Sequence, residues 1–320
     1  MISFIVIGRN ESDIIIRCIL SVVHYVTINN IHKYEIIYVD SDSSDDSIEK
    51  LNAFPTVKLI KITGDVNAAI ARNVGVKYSL GDVLFFIDGD MEIEPTFHSR
   101  VFDKSNELIH NFVSGDFVDH YYNHEGKMYQ KEVYFKLSED RFESITGGIF
   151  IVERSYWEKL GGMKNKYRRC QDLDFGLRMS LLGVQLLRKK DIIAIHHTVS
   201  YYDEHRLWQD LFNGNQLYQK SVLYRDHLFN PSIYKFIIRE ISLFVLVCSI
   251  VLSLIFSNFY FILLFLLSIA VKSIYKSSDG VSRSFFKRFI YYGALDILVF
   301  FGIFVFWPSN KKNYKIIKVN

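Results

Sequence analysis

Between Ile241 and Val271 lie 31 consecutive residues without a formally charged side chain, and that stretch governs how the chain can be divided. As one helix it would run roughly 46 Å, well past the ~30 Å hydrocarbon core of a bilayer. Ser257-Asn258 interrupts it near the middle, so the pattern predicts a tight helical hairpin over about 241–275. The competing reading is a buried helical core, but so long an uncharged run is rare in soluble domains. A further hydrophobic segment, 289–307, carries Asp296 as its single charge. Lys272, Lys276, Arg283, Lys287 and Arg288 form a basic connector between the two, and Lys311, Lys312, Lys315 and Lys318 follow. A hairpin leaves the connector on the cytosolic side, as the positive-inside rule prefers, whereas a third full crossing would export the last four lysines. Segment 289–307 is therefore expected to lie in the interface or to re-enter.

The first half is written for water. Ser3–Ile7, Glu35–Val39, Lys58–Ile62 and Val83–Ile87 are short β-branched runs ended by polar turns. Between them, Ser12–Tyr25 and Asn67–Tyr78 place apolar residues at helical spacing. Such alternation predicts an α/β fold, Rossmann-like, with a mostly parallel sheet and helices on both faces. The expected division is an α/β domain over 1–225 and a membrane-associated helical region over 226–320. Ligands of these sheets bind at the carboxyl ends of the strands. The clusters Gly8–Ser12, Asp40–Ser47 and Asp88–Glu92 stand at those ends. A net charge of +3, with no basic patch in this half, argues against nucleic acid as a partner. Cys18, Cys170 and Cys248 are too scattered for a disulfide framework and fit a reducing compartment. Met1 leads straight into Ile2–Ile7 without a basic leader, so this half is expected to stay in the cytosol, at the cell membrane.

Asp88-Gly89-Asp90 ends a buried strand with two hard oxygen donors flanking a glycine, a pair suited to Mg²⁺ or Mn²⁺ and diphosphate oxygens. In Asp40-Ser41-Asp42-Ser43-Ser44-Asp45 a carboxylate such as Asp40 or Asp42 can accept from a base imide or a ribose hydroxyl, while later members cap the next helix. Arg72, in Arg72-Asn73-x-Gly75, can reach a diphosphate or base from its helix, or simply lie on the surface. Thr146-Gly147-Gly148 is a tight turn before a strand. Asp172 and Asp174 open a helix, where the macrodipole already favours carboxylates; either can instead act as a general base. His196 and His197 follow a strand and point to opposite faces, so one at most reaches the site, as a third metal ligand.

Five motifs in order make the chain resemble the large family 2 of inverting glycosyltransferases with the GT-A fold, from Ile2 to about His197. They are Ile5-Val-Ile-Gly-Arg-Asn-Glu11, Tyr38-Val-Asp-Ser-Asp-Ser-Ser-Asp45, Ala71-Arg-Asn-Val-Gly75, Asp88-Gly-Asp90, and Thr146-Gly147-Gly148 followed by Gln171-Asp172. The resemblance implies that Arg9 and Glu11 belong to the nucleotide loop, with Arg9 stacking on the base and Asp40 contacting it. It implies that Arg72 helps hold the nucleotide, that Asp88 binds ribose and metal-bound phosphate, and that Asp90 ligates the metal. Gly147 and Gly148 become acceptor-side glycines, Asp172 the general base and His196 the histidine after the last strand. The family's acidic pair is commonly Glu-Asp; here it is Gln171-Asp172, so the role rests on Asp172, with Asp174 the alternative. The implied partners are a nucleotide-sugar donor, a lipid-linked or other saccharide acceptor, and the membrane. The runner-up is transfer to polyprenyl phosphate, with Lys166, Arg168 and Arg169 holding the phosphate, and a different class is an inactive scaffold with a transferase fold.

Overall fold

A computed structural model describes residues 1–12, 14–123, 125–199, 204–276 and 284–319; Arg283 of the basic connector lies outside the described residues. Residues Met1–Thr198 with Ser309–Asn320 form one compact unit, and Val199–Pro308 form a second.

The first unit is built on an 11-stranded sheet. Its strands are β1 (Ile2–Gly8), β2 (Tyr34–Ser41), β3 (Val57–Gly64), β4 (Val83–Asp88), β5 (Met91–Ile93), β6 (Phe112–Tyr122), β7 (Met128–Val133), β8 (Arg141–Glu143), β9 (Phe150–Glu153), β10 (Leu186–Thr198) and β11 (Tyr314–Lys318). The order is β11-β3-β2-β1-β4-β9-β6-β10-β5, with β7 on β6 and β8 on β10. β3, β2, β1 and β4 run parallel, as the crossover pattern predicts, while β9 enters antiparallel between β4 and β6. Helix α1 (Ile15–Ile28) buries Cys18, Ile19 and Val22 against one face. Helices α3 (Ala68–Lys77), α4 (Arg154–Leu160) and α5 (Gln171–Leu181) cover the other, while the short α2 (Ser47–Leu51) follows β2. Because most strands are buried on both faces, they read as continuous apolar runs rather than alternating ones.

The sequence motif Arg72-Asn73-x-Gly75 is a packing device. A Cβ on Gly75 would stand 2.3 Å from Ile5 Cγ2, so only glycine lets α3 lie this close to β1. Asn73 donates to Met163 O at 2.7 Å and accepts from Met163 N at 2.9 Å, tying α3 to the loop after α4.

Two expectations change. The tail is not an appendage of the helical region: β11 pairs antiparallel with β3, Tyr314 opposite Gly64 and Lys318 opposite Ile60. Its alternation puts Tyr314 and Ile316 against the core of the first unit, turns Lys315 outward, and lays Lys318 over the Tyr78 ring at the end of α3. That unit closes at Thr198 and regains residues 309–320, rather than ending at 225.

The second unit contains α6 (Glu204–Phe212), α7 (Ile241–Ile255), α8 (Ile262–Tyr275) and α9 (Phe285–Val305). The hairpin is present, broken where expected: Ser257 takes φ 50°, and Asn258 Oδ1 accepts from Tyr260 N at 2.9 Å. Its 15- and 14-residue helices span only ~22 Å and ~21 Å. The segment expected to stay in the interface forms the 21-residue α9, the one described helix long and apolar enough to cross a membrane. Asp296, the one acidic residue of α9, is buried and met by Lys272 Nζ at 3.2 Å and by the Ser242 hydroxyl, which offsets the cost that an isolated buried carboxylate would carry.

Candidate active site

The parallel register aligns three chain ends: Gly8 lies opposite Asp40, and Ile7 opposite Asp88. A recess of about 230 Å³ opens at this edge, lined among others by Arg9, Glu11, Ser41, Asn67, Asp88 and Asp90. Arg9 is exposed at its rim, where a planar ring can stack on it.

Three of the expected nucleotide contacts, Asp40, Asp42 and Arg72, are met by protein groups. Asp40 is fully buried, its Oδ1 accepting from Ser43 N at 2.9 Å and its Oδ2 from the Tyr38 hydroxyl at 3.4 Å. It shapes the loop after β2, leaving Ser41 to line the recess. Asp42, in the left-handed region at φ 64°, stands 4.0 Å from Lys61 Nζ. Arg72 is 1% exposed, with its Nη2 donating to Asp88 Oδ1 at 2.6 Å. Its guanidinium lies beneath Asp88-Gly89-Asp90 and orients Asp88. The sequence could not reveal this, because which face of α3 meets the sheet depends on Gly75 packing against Ile5.

His196 is the histidine that reaches the site. Its Nε2 lies 3.3 Å from Asp90 Oδ2, and its Nδ1 lies 2.7 Å from Asp119 Oδ1 on β6. His197 is occupied on both nitrogens, by Glu92 at 2.7 Å and the Tyr122 hydroxyl at 2.7 Å. Asp119 escaped the sequence reading, although a carboxylate inside an apolar strand is itself a signal. Tyr121 donates to its Oδ2 at 3.0 Å, so both carboxylate oxygens are engaged.

Negative charge accumulates here. Burial lifts the Glu11 carboxyl to about 8, helped by the Asp90, Asp88 and Asp45 carboxylates. Burial likewise raises Asp88 to about 6, Arg72 opposing it and Asp90 reinforcing it. For His196 burial works against the cation, but hydrogen bonds to Asp119 and Asp90 prevail and raise it to about 10. Asp90 Oδ1 is buried with no hydrogen-bond partner among the described residues. An orphaned carboxylate oxygen beside a histidine whose other nitrogen is anchored is the donor set a divalent cation fits. Among the described residues no three such side chains are already gathered as a metal-holding group, since Asp88 is turned toward Arg72.

The opposite wall is one turn. Gly147, at φ 74°, donates its N–H to Asp172 Oδ2 at 3.3 Å. A Cβ on Gly148 would stand 2.3 Å from Asp88 Oδ2. The two glycines thus bring the metal motif and the start of α5 to a common edge, and Gly148→Ala is expected to displace Asp88 and weaken donor binding, measurable by calorimetric titration. Asp172 is half-buried, and among the described residues its carboxylate is held by that amide hydrogen bond. Asp174 is fully buried between Lys164 Nζ at 3.2 Å and Arg178 Nη2 at 2.9 Å, closed off as a structural ion pair. Gln171 Oε1 is buried without a donor among the described residues. The turn is held from below by Arg188, which sequence reading also passed over. It is fully buried, bonded to Glu143 Oε2 at 2.8 Å, Gly115 O at 2.7 Å, Thr146 O at 3.3 Å and Ile145 O, and stacked 3.9 Å from the Phe135 ring centre.

Residues 3–171 match the profile of Glycosyl transferase family 2. The chain is 26% identical over 209 residues to the inactive polypeptide N-acetylgalactosaminyltransferase-like protein 5 of Mus musculus, covering 56% of this chain and 48% of that protein. It is 25% identical over 208 residues to polypeptide N-acetylgalactosaminyltransferase 8 of Drosophila melanogaster, covering 56% of this chain and 35% of the relative. The chain thus spans half or less of the length of these relatives. Among solved structures, GalNAc-T7 with UDP, GalNAc and Mn²⁺ aligns at a TM-score of 0.50 and 15% identity, covering 63% of this chain and 44% of that one, a likeness of fold.

Proposed function

As the chain belongs to Glycosyl transferase family 2 and has its GT-A fold, we propose that it is an inverting, metal-dependent transferase moving a sugar from a nucleotide-sugar to a hydroxyl of a lipid-linked saccharide in cell-surface glycan synthesis. The observation carrying this reading is the single Gly147-Gly148 turn on which the Asp88 and Asp172 carboxylates both rest. It supports a donor diphosphate at one end of the turn and an attacking hydroxyl at the other.

Asp172 is the base. One carboxylate oxygen takes the acceptor O–H proton while the acceptor oxygen bonds to the anomeric carbon and the bond from that carbon to the diphosphate oxygen breaks, inverting the centre. The Gly147 N–H keeps the carboxylate aimed. Asp90 and His196, with Asp88, would hold Mg²⁺ or Mn²⁺. When bound, the cation supplies Lewis-acid stabilisation of the charge appearing on the departing nucleoside diphosphate. Arg9 stacks on the base, and Ser41 and Glu11 face the rest of the nucleotide. Arg72 acts through Asp88, keeping it ionised and oriented.

Asp119 is a positioning residue. By engaging Nδ1 it turns Nε2 of His196 toward Asp90, where a cation would replace the Nε2 proton, and Asp119→Asn is expected to weaken Mn²⁺ affinity by roughly 10–100-fold, titrated calorimetrically without donor. Unchanged affinity would remove His196 from the ligand set.

The second unit supports membrane attachment and hence a lipid-borne acceptor, with the first unit on the cytosolic face. In the segment that follows β10, Phe212 is 79% exposed, whereas Leu211 and Tyr218 are buried. The direct test is nucleotide release from UDP-, GDP- and dTDP-sugars by detergent-solubilised protein with a bacterial lipid extract, in Mn²⁺ or EDTA. Metal-dependent release from one donor is expected. Nucleotide binding without release across the panel indicates that the required acceptor was missing. Absence of binding as well would favour an inactive scaffold, the reading to which Gln171 in place of the family's usual glutamate gives weight.

A further inference from the structure

Helices α7 and α8 flank a groove of about 660 Å³ in the second unit. Its walls are apolar, and they stay open to the surroundings: Phe244 is 69% exposed, Leu267 63% and Val271 59%. Contiguous exposed surface of this kind marks a face that something covers. The groove is polarised along its length. Arg239, Lys272 and Lys276 line one end, where α7 begins and α8 finishes. The far end, Ile255–Ile262, carries no charge.

The charges at the mouth do not cancel. Lys272 is committed to Asp296 at 3.2 Å, the Ser242 hydroxyl at 2.8 Å and Glu240 at 3.5 Å. Glu240 is also met by Lys220 at 2.6 Å. Among the described residues, Lys220, Arg239, Lys272 and Lys276 outnumber Glu240 and Asp296 at this end, and Arg239 makes no ion pair. From Leu264 to Lys276 the α8 wall measures roughly 18 Å, near the depth of one leaflet of a ~30 Å core.

We propose that the α7–α8 groove is a binding site for an anionic phospholipid, with one acyl chain along the apolar walls and the phosphate held by Arg239 and Lys276. A head with excess negative charge and a tail one leaflet long match the two ends of the groove. This rests on the reading that the second unit sits in a membrane.

The test uses the full-length protein in two measurements: flotation with vesicles of phosphatidylcholine alone or mixed with phosphatidylglycerol, and native mass spectrometry of lipid retained in detergent. The expected result is retention of phosphatidylglycerol over phosphatidylcholine, falling roughly fivefold for each cation removed in Arg239→Gln and Lys276→Gln. Leu267→Trp, which fills the groove and leaves the cations in place, is expected to lose the retained lipid as well. Lys311→Gln/Lys315→Gln, in the first unit, should leave the preference unchanged; an equal loss there would reduce the effect to general surface charge and overturn the site. Flotation with both vesicle types without lipid preference overturns the groove proposal and leaves the membrane reading standing. Flotation with neither overturns both. Displacement of phosphatidylglycerol by equimolar polyprenyl phosphate would assign the groove to a substrate lipid instead and also overturn the proposal.

Discussion

Asp172→Asn is expected to lower the transfer rate by about 10²–10⁴-fold while nucleotide-sugar affinity stays unchanged. The substitution is close to isosteric, and its amide oxygen can still accept from Gly147 N–H, so the turn joining Asp172 to Asp88 survives. What disappears is a group able to take a proton at the moment the acceptor oxygen attacks. Rate and affinity must therefore separate, and single-turnover kinetics with donor titration reads both. Asp174→Asn should do the reverse. Its carboxylate is fully buried between Lys164 and Arg178, and neutralising it leaves two cations without their counter-charge. A loss of about 3–5 kcal/mol in stability is expected, with per-molecule activity of the folded fraction retained. An active Asp172→Asn beside an inactive, stably folded Asp174→Asn would move the base by two residues.

Arg188→Met carries the second large effect, about 3–5 kcal/mol of stability lost, measured by thermal and urea denaturation. Methionine fills much of the volume over Phe135 but offers no donor to the carbonyls of Gly115, Ile145 and Thr146. Buried carbonyls left unpaired each cost about 1–3 kcal/mol, and they are the carbonyls that set the entry to Gly147-Gly148. Activity should fall further than the folded fraction does, because the turn positions Asp88 and Asp172 together. Arg188→Lys is expected to rescue little, since a single ammonium cannot reproduce a planar fork reaching Glu143 and three carbonyls at once. Full rescue by lysine would reduce the role of Arg188 to charge alone.

The α/β alternation, the parallel core of the sheet and the grouping of polar clusters at one edge could be read directly from the residues. Each rests on local pattern: β-branched runs, helical spacing, and carboxylates or glycines just past a strand. The same holds for the break at Ser257-Asn258, where two polar residues interrupt an apolar run. Side-chain direction was not local. Asp40 and Arg72 occupy the motif positions expected to touch ligand, yet one turns into its own loop and the other lies under Asp88. Asp119 and Arg188 belong to no short motif, because their partners lie 77 and 45 or so residues away in sequence and meet them only across β6, β8 and β10.

Residue chemistry along the chain therefore settles which fold the first half adopts and which acids stand at its edge, since burial preference and strand or helix periodicity are properties of neighbouring residues. The partners of those acids, and the course of the tail, emerge only from packing. β11 joins β3, so residues before Thr198 and after Ser309 belong to one folded body. If helices of the second unit cross a membrane, they must then do so an even number of times, and α9 cannot cross without a companion from α7 or α8. Lysines at the end of a sequence carry no such instruction; a strand register spanning some 250 residues does, because backbone hydrogen bonds in a sheet can be completed only by a chain on the same side of the bilayer.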